Sequence, residues 1–293
     1  MRSGGESSAP RVTVITATYN WATVLPYSVG SVLDQTFTDF EFLVVGDACS
    51  DESAAVVTSI EDPRVRWINL PSNAGHQAGP NNEGQRQARG EIVAYLGHDD
   101  LWLPQHLELL VEAIDGGATA AHSSVLQVHP YKALAVTPPD GWAYARGDWL
   151  PPTSIAIVRT VLEEVGGWRM PRETGYLDPD ADLLARVYDI AGPPVRVRRL
   201  TCVKLPAAPR RDVYRTRPHH EQEHWLRTIR EAADPEAAML ATVGAPYVLA
   251  TDRPPVPFHT RTWRSMRYRL RTRLGIRLRA TTRIRRHRRF KGL

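Results

Sequence analysis

The chain has 293 residues, 42% of them hydrophobic and 24% charged, which excludes a low-complexity or disordered protein and allows a sizeable core. Its net charge of +5 is uneven: Arg261 to Leu293 holds 14 Arg and Lys and no acid, so the first 260 residues carry 23 basic against 32 acidic side chains and are net −9. No apolar run approaches a membrane span and MRSGGESSAP lacks the apolar stretch of a signal peptide; with only Cys49 and Cys202, too few for a disulfide framework or a cysteine zinc site, a cytoplasmic protein with reduced thiols is expected.

Residues 1 to 10 are small and polar, without periodicity, and are expected to be disordered. From Arg11, RVTVITAT is apolar and β-branched enough for a central strand, and TYNWA ends it. Val24 to Gln35 has apolar residues at helical spacing. EFLVVGD from Glu41 predicts a second strand, with Ser50 or Asp51 to cap the helix that follows. VRWINL from Val65 is a third, and the polar passage NAGHQAGPNNEGQRQARG predicts a helix ending near Gly90. EIVAYLG is the fourth strand and runs into Asp99 and Asp100. Strands separated by helices predict a mostly parallel sheet with right-handed crossovers, a nucleotide-binding type of architecture.

Beyond Pro104, QHLELLVEAID predicts an amphipathic helix and ATAAHSSVLQVH a strand. Pro138 to Pro152 is rich in Pro, Gly and Trp and suits a loop against a ligand. SIAIVR and TVLEEVGGW predict strand and helix. DPDADLLARVYDIAG, from Asp178, predicts a helix with acids where its dipole tolerates them. VRVRRLTCVKL is a late strand, HEQEHWLRTIREAAD a late helix, and the basic tail comes last.

Three features carry chemistry. Asp99 and Asp100 follow the fourth strand, at the edge where the ligand crevice of an open α/β sheet lies, and their oxygens suit a divalent cation that would clamp a diphosphate; the structural alternative is an Asp-rich turn. His220-Glu221-Gln222-Glu223-His224 is an H-E-x-x-H pattern, which could hold zinc as in a metalloprotease or lie on a solvated helix face. The tail has Trp263, Met266, Leu270 and Leu274 at helical spacing among arginines, while Arg267 to Leu274 also alternates as a strand would; it would suit an anionic membrane surface, the same charge would bind nucleic acid, the less favoured reading, and the structural alternative is a solvated, partly disordered tail.

In order along the chain, VTVITATYN, SVLDQTFTDFEFLVVGDACSD, the passage with Asn82, Gly84, Ala88, Gly90 and Glu91, AYLGHDDLWLP, and EEVGGWR followed by DPDADLLAR resemble the family 2 glycosyltransferases of GT-A fold. The resemblance covers residues 11–205. It implies an α/β, GT-A (Rossmann-like) fold with a mostly parallel sheet flanked by helices, in a nucleotide-binding half (11–103) and an acceptor half (104–205). A C-terminal helical extension (206–260) and the basic tail (261–293) would follow. It implies an inverting enzyme that moves a sugar from a nucleotide-diphosphate donor, UDP being the commonest nucleotide, to the hydroxyl of a glycan, lipid-linked or small-molecule acceptor. Ala17, Thr18, Tyr19, Asn20, Asp47, Asn82 and Asp99 would bind the nucleotide. Asp99 or Asp100 would hold Mn²⁺ or Mg²⁺, Asp180 would be the general base, and Asp182 is the alternative base. Relatives commonly carry Asp-x-Asp-Asp where this chain has Gly97-His98-Asp99-Asp100, and Gly46 replaces the usual acid before Asp47. These departures leave a second reading, a nucleotide-sugar-binding protein of the same fold without catalysis. An enzyme using a lipid-linked acceptor would be peripheral at the inner face of the membrane.

Overall fold

In a computed structural model, residues 9–130, 135–138, 143–174, 178–207 and 210–243 are described. The basic tail, residues 1–8 and 139–142, and 244–260 of the expected extension lie outside them. The first half builds strands β1 (Val12–Thr18), β2 (Phe40–Gly46), β3 (Val65–Asn69) and β4 (Ile92–Tyr95), with helices α1 (Leu25–Leu33), α2 (Ser53–Thr58) and α3 (Ala78–Gln87) between them. All three pairings, β1 with β2, β1 with β4 and β2 with β3, are parallel. The central strands read as continuous apolar runs because both faces are covered. Val12, Val14, Phe42, Val44 and Ala94 face one core with α1, while Ile15, Leu43, Val45, Val93 and Tyr95 face the other. Glu41 is tolerated inside β2 because Thr13 Oγ1 (2.8 Å) and the Arg89 backbone N–H (2.7 Å) and Nε (2.8 Å) donate to its carboxylate.

The second half adds β5 (Leu101–Trp102), α4 (His106–Asp115), β6 (Ala120–Gln127), β7 (Ala135–Thr137), β8 (Ile155–Val158), α5 (Arg159–Glu164), α6 (Pro179–Ala191) and β9 (Val195–Lys204). The nine strands form one sheet in the order β3-β2-β1-β4-β8-β6-β9-β5, with β7 on β6. Here the expected parallel character gives way to a mixed sheet: β8 is antiparallel to both β4 and β6, β5 is antiparallel to β9, and only β6 and β9 run parallel. The sheet is therefore of the mixed α/β kind, flanked by helices.

Three further helices complete the described chain, α7 (Val213–Thr216), α8 (His220–Glu231) and α9 (Pro235–Val243). Trp225, Leu226 and Ile229 of α8 and Met239 of α9 share a hydrophobic cluster with Leu101, Leu103, Leu126, Leu200, Val203 and Leu205. This cluster spans both sides of position 205 and packs the helices onto the β5 edge. Among the described residues no helix is long and apolar enough to cross a membrane.

Candidate active site

The carboxyl ends of β1, β2 and β4 open on one edge of the sheet, and the loops leaving them are tied together. Asn20 takes a left-handed conformation (φ 57°), and its Oδ1 accepts from the N–H groups of Ser50 (2.8 Å) and Asp51 (3.3 Å). Asp51 Oδ2 accepts in return from the Ala22 N–H (3.1 Å). Asn20, expected on the nucleotide, is thus a brace between two loops, a role its short side chain and tolerance of positive φ suit. Thr18 Oγ1 is buried and has no hydrogen-bond partner among the described residues. Tyr19 is half-buried beside it, and the Ala17 carbonyl accepts from His98 Nδ1 (3.1 Å).

Asp47, at the end of β2, is buried, and its carboxylate receives the Ala74 N–H at 2.7 Å and the Gly75 N–H at 3.2 Å. Asn73 Nδ2 donates to the Asp47 carbonyl (3.0 Å). Burial pushes the carboxyl above the usual range, and the two N–H donors pull it back. Asp47 therefore shapes residues 73–75 into a wall of the cleft. Each carboxylate oxygen can accept a further bond, so capacity for a ribose or base donor remains.

At the end of β4 the two neighbouring acids part company. Asp100 is fully buried; Lys204 Nζ, from the last residue of β9, lies 2.9 Å from Oδ2, and the Leu205 N–H donates to Oδ1 at 3.0 Å. Burial pushes Asp100 above the usual carboxylate range, and the ammonium offsets this only in part. Burial disfavours the charged form of Lys204, but Asp100 and Asp99 more than offset this and leave its pKa raised. Gly97 makes the pairing fit, since a Cβ there would lie 2.6 Å from Asp100 Oδ2. Asp100, one of two expected metal ligands, is thus committed to a buried ion pair. Asp99 is half-exposed, and its carboxylate makes no hydrogen bond or ion pair with a described residue, while its main-chain carbonyl accepts from Gln222 Nε2 of α8 (3.2 Å). The His98 ring packs at a tilt of 31° against the buried ring of Trp21, with centroids 4.4 Å apart. No cluster of three or more His, Cys, Asp or Glu side chains that could hold a metal occurs among the described residues. The donor set fits an ion that takes one carboxylate, Asp99, and completes its coordination with phosphate and water.

On the opposite side, Asp180 stands in the first turn of α6. Its Oδ1 accepts from Gln77 Nε2 (2.6 Å) and its Oδ2 from Trp149 Nε1 (3.4 Å). Burial pushes the carboxyl up to about 6, while Lys204 and the Trp149 N–H act in the opposite direction. Asp182, the alternative base, points elsewhere: it is buried, held by Arg186 Nε at 2.9 Å, with Arg169 at 3.8 Å. Arg186 also donates to the Val165 (2.5 Å) and Gly167 (2.7 Å) carbonyls, so Asp182 anchors the loop before α6. Asn82, expected on the nucleotide, braces the same loop. Its Oδ1 accepts from the Trp168 N–H (2.8 Å) and its Nδ2 donates to the Trp168 carbonyl (2.9 Å).

The H-E-x-x-H pattern lies on α8, but zinc chemistry is not what it supports. Glu221 is held by Arg210 through Nε and Nη2, both at 2.7 Å, and His220 and His224 are exposed without a third ligand among the described residues. The buried side of α8 serves packing, and Gln222 reaches the Asp99 carbonyl instead.

Lys204, Gln77 and Trp149 escaped the reading of the sequence. Lys204 ends a strand that already carries three arginines, so its charge gave little signal, whereas Trp149 lies in the Pro138 to Pro152 loop that suited a ligand. Together they join the carboxylates: the 73–77 loop runs from Asp47 to Asp180, and Lys204 faces Asp100, Asp99 and Asp180. Beside them a groove of about 500 Å³ is lined by Ala74, Gly75, His76, Met170, Pro171 and Arg172.

Residues 13–150 match the model of the family described as "Glycosyl transferase family 2". The succinoglycan biosynthesis protein ExoO of Rhizobium meliloti is 39% identical over 106 residues, 36% of this chain and 30% of that protein. The chain spans about a third of the length of the curated relatives it matches. Among solved structures, S. aureus TarS in complex with UDP superposes with a TM-score of 0.58 at 19% identity, covering 81% of this chain and 70% of that one. Mannosyltransferase PcManGT from Pyrobaculum calidifontis, in complex with GDP-Man and Mn²⁺, gives 0.54 at 22% identity, covering 90% and 81%. At these identities the likeness speaks for the fold. Residues 13–150 are thus similar to glycosyltransferase family 2, on a GT-A fold.

Proposed function

We propose that the protein transfers a glycosyl group from a nucleoside diphosphate sugar, a UDP-sugar first among them, to an acceptor hydroxyl with inversion at the anomeric carbon. The observation that carries this reading is the gathering of Asp47, Asp99 and Asp180 around one cleft at the strand ends of a domain similar to family 2. Asp47 and Thr18 would meet the nucleoside. Asp180 would take the proton of the acceptor hydroxyl as its oxygen attacks the anomeric carbon; the bond from that carbon to the diphosphate breaks, and the nucleoside diphosphate leaves with the electron pair. A carboxyl with pKa near 6 is ionised at neutral pH yet basic enough to accept a proton in the transition state. Gln77 and Trp149 hold it in place. Mn²⁺ or Mg²⁺, when bound, would supply neutralisation of charge on the leaving diphosphate, and Asp99 is the residue that would hold it.

Calorimetry with UDP, GDP and dTDP, each with and without Mn²⁺, tests the reading. Binding of one nucleotide, strengthened by Mn²⁺ in the wild type but not in Asp99→Asn, is expected; no binding by any of the three refutes it. Gly97 in place of an acid favours a second reading, binding without catalysis. That reading predicts nucleotide binding with neither transfer nor slow donor hydrolysis.

A further inference from the structure

Of the large apolar side chains among the described residues, only Trp149, Ile190 and Val195 are exposed, and Trp149 alone is aromatic, at 41%. Its position is set from several sides. The turn before it closes through the Asp148 N–H to the Ala145 carbonyl (2.8 Å) and the Ala145 N–H to Asp148 Oδ2 (3.1 Å), with Gly147 at φ 87°. Arg146 makes a two-pronged ion pair with Asp189 of α6 (2.5 Å each), and Leu150 is buried. The indole edge donates to Asp180 Oδ2 at 3.4 Å. A tryptophan needed only for packing would bury its rings; this one is fixed by its edge and keeps much of its area open next to a carboxylate.

The geometry points to Trp149 as the platform for the acceptor, and to an acceptor that is itself a pyranoside. A pyranose ring has the matching shape: its C–H groups form an apolar face for the indole, and its hydroxyls project from the rim. Stacking on Trp149 brings one rim hydroxyl to the N–H edge of the indole, where Asp180 lies. Platform and base are thus one unit, and the stacked ring sets which hydroxyl is activated. An open-chain polyol has no such face. The inference rests on Asp180 being the proton acceptor and narrows what gives up the proton.

The test is saturation-transfer NMR on the full chain, with and without the nucleoside diphosphate that binds best in calorimetry. The probes are methyl pyranosides of glucose, galactose, mannose and N-acetylglucosamine, with glucitol as the open-chain control. At least one pyranoside is expected to receive saturation at its ring C–H groups and glucitol none. Trp149→Leu, which removes the face, should weaken that pyranoside by roughly tenfold. Trp149→Phe keeps a face and loses the N–H, and should weaken it less than threefold while turnover falls. Nucleotide affinity should be unchanged in both variants, which also reports that they fold. Equal binding of glucitol, no pyranoside bound, an unchanged affinity in Trp149→Leu, or a loss confined to the nucleotide sugar would each overturn the inference. Failure of the wild type to bind any nucleotide is a separate result and bears on the transferase reading.

Discussion

Replacing Lys204 with Met keeps the length of the side chain and removes the charge that faces a fully buried carboxylate at 2.9 Å. Asp100 would keep the Leu205 N–H and lose its counter-ion. Removing one partner of a buried pair costs about 3–5 kcal/mol. The protein has a second course, which is to fold with Asp100 protonated. At pH 7 that costs about 1.36 × (7 − 3.9), or about 4 kcal/mol, and at pH 5 about 1.5 kcal/mol. These are ceilings, because the variant takes whichever course is cheaper. In Lys204→Met the folded-state pKa of Asp100 is raised above its unfolded value, so its contribution is intact at low pH and is lost as pH rises. The deficit relative to wild type should therefore be about 3–4 kcal/mol at pH 7, a fall in Tm of roughly 10 °C, and should shrink to about 1.5 kcal/mol or less at pH 5. Denaturant titrations of both proteins at pH 5, 6 and 7 measure it, and Lys204→Met with Asp100→Asn should recover most of the loss. A deficit independent of pH, or one below about 1 kcal/mol at pH 7, would refute the reasoning.

Transfer should fall on the acid side with a midpoint near 6, because Asp180 must be ionised to accept a proton, and a pH–rate profile of kcat shows this. Asp180→Asn should lower the rate by about 10²–10⁴-fold with nucleotide affinity intact; near-normal transfer removes Asp180 from the role. Asp47→Asn sets an amide NH₂ against one of the Ala74 and Gly75 N–H donors, so calorimetry should show about tenfold weaker nucleotide binding, and unchanged affinity removes Asp47 from the nucleotide. His106 is fully buried beneath Trp102, and burial pushes its pKa down to about 3. Its folded-state pKa lies below the unfolded value, so its stabilising contribution is present above about pH 6.5 and lost as pH falls, by about 3 kcal/mol at pH 4. His106→Phe should flatten that part of the acid limb, and an identical acid dependence in the variant would contradict it.

The parallel half of the fold was legible because β1, β2 and β4 are covered on both faces and carry uninterrupted apolar sequence. The elements beyond β4 were harder to read. β5 has only two residues and joins the sheet through Cys202 and Val203, about a hundred positions away. The antiparallel direction of β8 has no trace in side-chain periodicity, which is the same for either direction. The site divides similarly. Asp47, Asp99 and Asp180 stand at a strand end, a strand end and a helix start, where local pattern is informative. Asn20, Asn82, Asp100 and Asp182 have the same residue types in the same blocks, yet each is committed to internal partners. Two of those commitments were hidden by distance along the chain, Trp168 for Asn82 and Lys204 for Asp100, and the second also depends on the room at Gly97.

The bond from Gln222 to the Asp99 carbonyl has a consequence for the timing of assembly. A chain emerging from the ribosome exposes β1 to β4, and with them Asp47 and Asp99, well before Lys204 and α8 are synthesised. Until those arrive, Asp100 has no counter-ion and the turn bearing Asp99 has no support from behind. The nascent protein would thus carry most of its sheet while the turn bearing Asp99 is still unsupported, and α8 would act as the latch that holds this turn in place.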